Sequence, residues 1–122
     1  MYDLVIVGGG AAGIAAGVYA ARKKIKTLLI AESFGGQSIV SQDIQNWIGS
    51  PKVTGLDLAK MLEEHLRAQN GSIEILEGDR VKTIRKNNRF VVETESGKSF
   101  ETKTALVASG SRRKKLNVPG ES

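Results

Sequence analysis

Three glycines at fixed spacing and one carboxylate carry the most legible chemistry in this chain. Gly8, Gly10 and Gly13 form a G-x-G-x-x-G pattern, and Glu32 follows 19 residues after Gly13. A glycine turn that opens a helix presents the first backbone N–H groups, here those of Ala11, Ala12 and Gly13, and the positive end of the helix dipole. That is an anion site suited to a pyrophosphate. In this pattern Gly8 allows the turn and Gly10 lets a pyrophosphate approach main chain that has no Cβ. Gly13 lets the helix lie close to the strand. A carboxylate at the spacing of Glu32 accepts hydrogen bonds from both ribose hydroxyls of an adenosine and repels a 2′-phosphate. The expected ligand is therefore an adenosine dinucleotide without that phosphate, NAD or FAD rather than NADP.

Such a site needs a strand, a tight turn and a helix, and the flanking sequence supplies them. Leu4–Val7 is an apolar run, read as strand 1 over about 3–7, and the alanine-rich segment that follows is read as a helix over about 11–23. Thr27–Ala31 is a second short apolar run. A strand, crossover helix and strand in this order form a right-handed βαβ unit with parallel strands. Residues 33–54 show no clean period and hold Gly35, Gly36, Gly49 and Pro51. They read as a long loop, a feature that compact domains usually keep for function.

Thr54 is placed to cap a helix, with Asp57 three residues on, and Leu58, Met61, Leu62 and Leu66 fall on one face. Gly71 is the expected residue just past its end, and Ser72–Leu76 the third core strand. Three segments with partial alternation follow, Arg80–Lys86, Arg89–Glu95 and Lys98–Lys103, separated by Asn87-Asn88 and Ser96-Gly97. That is the signature of an antiparallel meander with tight turns. Thr104–Ala108 is apolar again and empties into Ser109-Gly110. The fold class expected is α/β, a Rossmann-like parallel sheet with a three-stranded antiparallel meander inserted before the last core strand.

Composition narrows the reading. The chain has 122 residues, 40% hydrophobic and 25% charged, which fits one ordinary globular domain over 1–122. No apolar run approaches the roughly 18 residues that would suggest a membrane span, and no basic-then-apolar leader is present, so the expected compartment is the cytoplasm. Cysteine is absent, which excludes thiol exchange, disulfides and thiolate metal sites within the chain. Part of the net charge of +5 comes from Arg112-Arg113-Lys114-Lys115. No aromatic residue interleaves with it, so it reads as a solvated exit from a strand rather than a nucleic-acid surface. His65, beside Leu62 and Leu66 on a helix, reads as helix surface or core edge and not as a general base.

A glycine turn and an acidic residue do not separate NAD from FAD, but a meander between the third and fourth core strands is not expected of a simple NAD-binding half. With it the chain resembles the two-dinucleotide-binding flavoproteins. It is most similar to the thioredoxin reductase branch, which includes the flavoprotein component of alkyl hydroperoxide reductase. The resemblance rests on Asp3–Gly13, Ala31-Glu-Ser-Phe-Gly-Gly-Gln37, Ile44-Gln-Asn-Trp-Ile48, Ala105-Leu-Val-Ala-Ser-Gly110 and Asn117-Val-Pro-Gly-Glu121. It runs collinearly over nearly the whole chain.

The resemblance implies FAD as cofactor. It implies that Gly8–Gly13 hold the pyrophosphate, Glu32 the adenosine ribose, and Gly35, Gly36 and Gln37 the ribityl–flavin end. Asn46 would hydrogen-bond near the flavin, Val81 would bracket the adenine through its backbone, and Ala108, Ser109 and Gly110 would stand where the family carries Ala-Thr-Gly. Trp47 reads as a packing residue beside the site.

The departures are equally informative. The family inserts an NAD(P)H-binding domain with a Cys-x-x-Cys and then returns to the FAD domain with a further strand; neither is in this chain. The expectation is therefore the first FAD-binding segment of an NAD(P)H-dependent, thioredoxin-reductase-like disulfide oxidoreductase, with no catalytic side chain or metal of its own. Electrons would pass to a dithiol outside the chain and on to thioredoxin or a peroxiredoxin. Two alternatives are a non-catalytic FAD- or ADP-binding module, able to form a homodimer through an unpaired sheet edge, and an NAD-dependent dehydrogenase domain.

Overall fold

The computed structural model describes residues 1–35, 43–69 and 71–110. In chain order they form β1 (Tyr2–Val7), α1 (Ala11–Arg22), β2 (Thr27–Ala31), α2 (Gly55–Arg67), β3 (Glu74–Glu77), β4 (Val81–Asn87), β5 (Arg89–Thr94) and β6 (Ser99–Val107). The six strands make one mixed sheet in the order β3-β2-β1-β6-β5-β4. Strands β3, β2, β1 and β6 are mutually parallel, and β6-β5-β4 is antiparallel.

The side-chain period of two sorts this sheet onto two cores. Ile6, Leu29 and Ala31 face the helices, where they pack with Ile14 and Val18 of α1 and Leu66 of α2. Val5, Leu28 and Ile30 point the other way and pack against Val92 of β5, with Val81 and Ile84 of β4 alongside. The meander thus curls over the face of the parallel strands that the helices leave open. Strands covered on both faces need no polar alternation, which is why β1 and β2 read as continuous apolar runs.

The meander and the last core strand, expected as separate segments, are one element where they meet. Strand β6 pairs antiparallel with β5 from Ser99 to Thr102 and parallel with β1 from Thr102 to Val107. Nothing between Lys103 and Thr104 bends the chain: there is no glycine or proline, and the Thr102 hydroxyl, fully buried, bonds the Thr104 carbonyl at 2.8 Å. The two expected turns are present. Asn88 takes φ +63° between β4 and β5, and Gly97 takes φ +94° between β5 and β6. Asn tolerates the left-handed region and glycine enters it freely.

Helix boundaries follow local chemistry. The Thr54 hydroxyl accepts from Asp57 N–H at 3.1 Å and caps α2. Leu58 and Leu66 are buried, while Met61 turns half outward at the margin of the apolar face. Gly71 does not end α2. The helix stops at Arg67 with Ala68 as its C-cap, and Gly71, φ +84°, belongs to the turn that leads to β3. Arg67 fixes that end: it bonds Glu63 at 2.8 Å and Glu77 of β3 at 2.7 Å, and its guanidinium lies 5.3 Å from the centre of the Phe34 ring.

Helix α1 closes with a residue that the sequence does not flag. Lys24 N–H bonds the Ala21 carbonyl and Ile25 N–H the Ala20 carbonyl, both at 3.0 Å. This is a Schellman closure, whose C′ position favours glycine. Lys24 occupies it at φ +58°, a conformation in which a Cβ is unfavourable. Lys24→Gly is expected to stabilise the fold by about 0.5–1 kcal/mol, read as a rise in the thermal unfolding midpoint. An unchanged or lower midpoint would contradict the assignment of strain to this position.

Candidate dinucleotide-binding site

The carboxyl ends of β1, β2 and β6 converge on one cleft, the place where open α/β sheets bind ligands. Strand β1 delivers the chain to Gly8, whose N–H bonds the Ile30 carbonyl of β2 at 2.9 Å. On the other side Ala108 N–H bonds the Val7 carbonyl at 2.8 Å. The glycine turn is therefore clamped between the ends of both neighbouring strands.

The glycines are required by contacts, not by flexibility in general. Gly8 has φ +127°, and a Cβ there would stand 2.1 Å from the Ala108 carbonyl oxygen. A Cβ on Gly13 would stand 2.2 Å from the carbonyl oxygen of Gly8. Gly13 thus admits the turn itself to the helix, more closely than it admits the strand, where Ile6 is 3.7 Å away. Gly9 falls at a variable position of the pattern, yet it is equally constrained. Its Cβ would meet the Ser33 carbonyl oxygen at 2.4 Å, and its own carbonyl accepts from Gly35 N–H at 2.8 Å. Gly9 is a residue that motif reading misses; the run of three glycines is the only signal for it. Gly17 is another, because a Cβ there would press on Leu66, Ile73 and Leu29 side chains.

Electrostatically, the turn is left open at its ligand end. Gly10 is the N-cap of α1 and supplies no side-chain cap, and the first turn holds no acidic residue. The first helical bond is Ile14 N–H to the Gly10 carbonyl, 3.0 Å, so the N–H groups of Ala11, Ala12 and Gly13 precede it. Helix N–H groups without a capping side chain, together with the dipole, favour an anion in front of them.

The cleft in front measures about 1240 Å³, larger than the roughly 300–1,000 Å³ of ordinary small-molecule pockets and suited to an extended dinucleotide. Gly8, Gly10, Ala12, Glu32, Val81, Ala108, Ser109 and Gly110 line it together, although they come from four separate stretches of chain. Gly13 lies buried beneath the turn, Ala11 is half-buried, and Gly35 is buried behind Gly9. Gly36 and Gln37 lie outside the described residues, as does the basic run at 112–115. Asn46 is exposed and is not among the lining residues. It sits in a loop pinched shut by Ile44 and Val53, which exchange backbone bonds of 2.7 and 2.9 Å, a closure the sequence does not announce. Trp47 and Ile48 stand at its tip, Ile48 94% exposed. His65 is on the exposed side of α2.

One polar cluster in the wall was not expected. Asp79 is buried, 8% exposed. Its Oδ1 accepts from Arg80 N–H at 2.9 Å and Ser96 N–H at 3.3 Å, and its Oδ2 accepts from the Ser96 hydroxyl at 2.5 Å. The Ser96 hydroxyl above all, then the Thr94 hydroxyl and the two main-chain donors, hold the Asp79 carboxyl below the usual carboxylate range against the opposing effect of burial. Among the described residues no cluster of His, Asp and Glu forms a metal site, and no helix is long and apolar enough to cross a membrane.

The sheet order, the glycine turn and the cleft define a Rossmann-like dinucleotide-binding domain. The chain belongs to the pyridine nucleotide-disulphide oxidoreductase family, whose model matches residues 2–122. Among curated proteins it is 42% identical over 122 residues to the F component of the alkyl hydroperoxide reductase of Pseudomonas aeruginosa. It is 39% identical over 120 residues to a protein named NADH dehydrogenase in Bacillus subtilis. Each match covers 98% of this chain and 23% of the relative, so the chain spans about a quarter of their length. Among solved structures, the thioredoxin reductase of Lactococcus lactis superposes with a TM-score of 0.89 at 33% identity, and that of Streptococcus pyogenes with 0.85 at 35%. Both cover 98% of this chain, which corresponds to 39% of theirs. The mixed sheet and its meander are thus those of thioredoxin reductases.

Two outcomes follow from the geometry. Gly9→Ala is expected to destabilise the fold by at least about 2 kcal/mol, because its new methyl meets main chain that cannot step aside; chemical denaturation reads this. The second concerns Asp79. A carboxyl whose folded pKa lies below its unfolded value of about 3.9 adds stability above that pH, and the contribution is lost as pH falls through the folded pKa. The thermal midpoint should therefore drop as pH is lowered below about 4, and Asp79→Asn should flatten that dependence while lowering the midpoint at neutral pH. An identical pH profile in the variant would show that Asp79 is not the group responsible.

Proposed function

We propose that this chain is the FAD-binding portion of an NAD(P)H-dependent disulfide oxidoreductase of the thioredoxin reductase type. The observation that supports this best is the convergence on one cleft of the uncapped start of α1, Glu32 at the end of β2, and Val81 at the start of the meander. These residues fit the adenosine diphosphate half of the cofactor. The main chain at 10–13 takes the pyrophosphate, the Glu32 carboxylate the ribose hydroxyls, and the backbone at Val81 the adenine. Gly35, Gly36, Gln37 and Asn46 take the ribityl and flavin end, with Ala108, Ser109 and Gly110 closing the cleft beside the pyrophosphate.

FAD, when bound, supplies the hydride-accepting centre. The chain's own contribution is positioning: the ends of β1, β2 and β6 hold the adenosine diphosphate half of the cofactor, and the loop that follows β2 takes the flavin end. The reducing nicotinamide site and the redox dithiol belong to parts of the longer protein outside this chain, and thioredoxin or a peroxiredoxin is the proposed acceptor. The proposed setting is the cytoplasm.

Titration of the chain with FAD, followed by flavin fluorescence and visible absorbance, tests the reading. Saturable binding is expected, with ADP competing and NADP not. Glu32→Ala should weaken FAD and ADP alike by about tenfold, the loss of a charge-assisted hydrogen-bonded contact. Tight binding of NAD with indifference to FAD would overturn the proposal in favour of an NAD-dependent dehydrogenase domain.

A further inference from the structure

The cleft wall that faces Glu32 is built in an unusual way. In a regular strand alternate residues point to one face, yet Asp79, Arg80, Val81, Lys82, Thr83 and Ile84 all line the cleft in succession. Two features explain this. Strand β4 is the edge of the sheet, so its outer flank has no strand partner among the described residues. Its register against β5 also shifts between Val81 and Thr83, a bulge that bends and re-aims the strand and leaves one residue out of the ladder. At the bulge the start of β4 is held less closely by its own ladder than Thr83–Asn87, which pair with β5 without interruption. Something else must set its position if it is to recognise a ligand through its backbone.

The hairpin turn between β5 and β6 does this. Ser96 donates to Asp79 from both its hydroxyl, 2.5 Å, and its N–H, 3.3 Å. Glu95 N–H bonds the Arg80 carbonyl at 2.8 Å. The turn is itself rigid: Gly97 N–H bonds the Thr94 carbonyl at 3.1 Å, and the Thr94 hydroxyl accepts from Lys98 N–H at 3.1 Å. The segment entering β4 is therefore stapled through one buried carboxylate to a turn 17 residues downstream.

We infer that Asp79 and Ser96 are positioning residues for the adenosine end of the cleft, holding the bulged backbone at 80–83 in the place where it meets the ligand. Neither side chain needs to touch the ligand, since they act through the main chain at Arg80 and Val81. The inference rests on the nucleotide reading of the cleft proposed above.

Ser96→Ala removes the hydroxyl donor and keeps the turn, Ser96→Thr keeps the hydroxyl, and Asp79→Ala removes the staple altogether. In the full chain, Ser96→Ala is expected to weaken ADP about tenfold, Asp79→Ala more, and Ser96→Thr little. A uniform loss of packing would not be rescued by threonine. A second measurement stands independent of any ligand: amide hydrogen exchange at 80–83 should quicken in Ser96→Ala while that of 27–31 stays unchanged. Unaltered exchange at 80–83, or equal ADP affinity in Ser96→Ala and the parent, would overturn the inference. If the parent chain binds neither ADP nor FAD while exchange responds as stated, the nucleotide reading fails and the staple remains.

Discussion

The arrangement of this domain depends on main chain packed directly against main chain at the end of β1. Gly8 lies against the Ala108 carbonyl, Gly9 against that of Ser33, and Gly13 against that of Gly8. The end of β6, the loop after β2 and the first turn of α1 are thereby brought within van der Waals reach of one turn. A side chain at any of the three would push an element away and open the cleft. Because no side chain intervenes, the donors offered to a ligand are peptide N–H groups whose positions are set by the sheet itself, which costs little reorganisation on binding. At the same place α1 starts on Gly10 with no capping side chain.

Around this turn the sheet is asymmetric in a useful way. One face of β1 and β2 is covered by helices, the other by the curled meander. The helices stabilise the turn from below, whereas the meander supplies the far wall of the cleft. Strand β6 belongs to both halves, pairing with the meander along its first part and with β1 along its second. Ala108–Gly110 at the cleft mouth thus follow directly on a strand that the meander also holds.

Much of this was legible in the sequence because local signals and tertiary demands agree there. The run Leu4–Val7 followed by glycines is both a buried strand and a tight turn into a helix, and Thr54 with Asp57 is a self-contained cap. The features that were not legible depend on partners distant in sequence. Gly9 looks like any small residue until Ser33 is placed against it. Asp79 gives no periodic or motif signal, since its burial is made tolerable by Ser96, 17 positions away. The continuity of β6 was hidden because its pairing partners change midway, so its alternation changes character without a turn. Lys24 contradicts the local preference for glycine, and only the closure of α1 reveals it.

The pairing of β6 with β1 also bears on how the chain reaches this state. Tyr2 lies beside Thr102, a separation of 100 residues. During synthesis β1, α1 and β2 can associate early as a local unit, but one flank of β1 stays bare until β6 has left the ribosome. Contacts of such long sequence separation close slowly, because the entropy of the intervening chain is lost before the pairing rewards it. The strand that carries the glycine turn is thus made before its partners β2 and β6 and completed only by the latter. For that interval its edge is an unpaired strand flank open to mispairing.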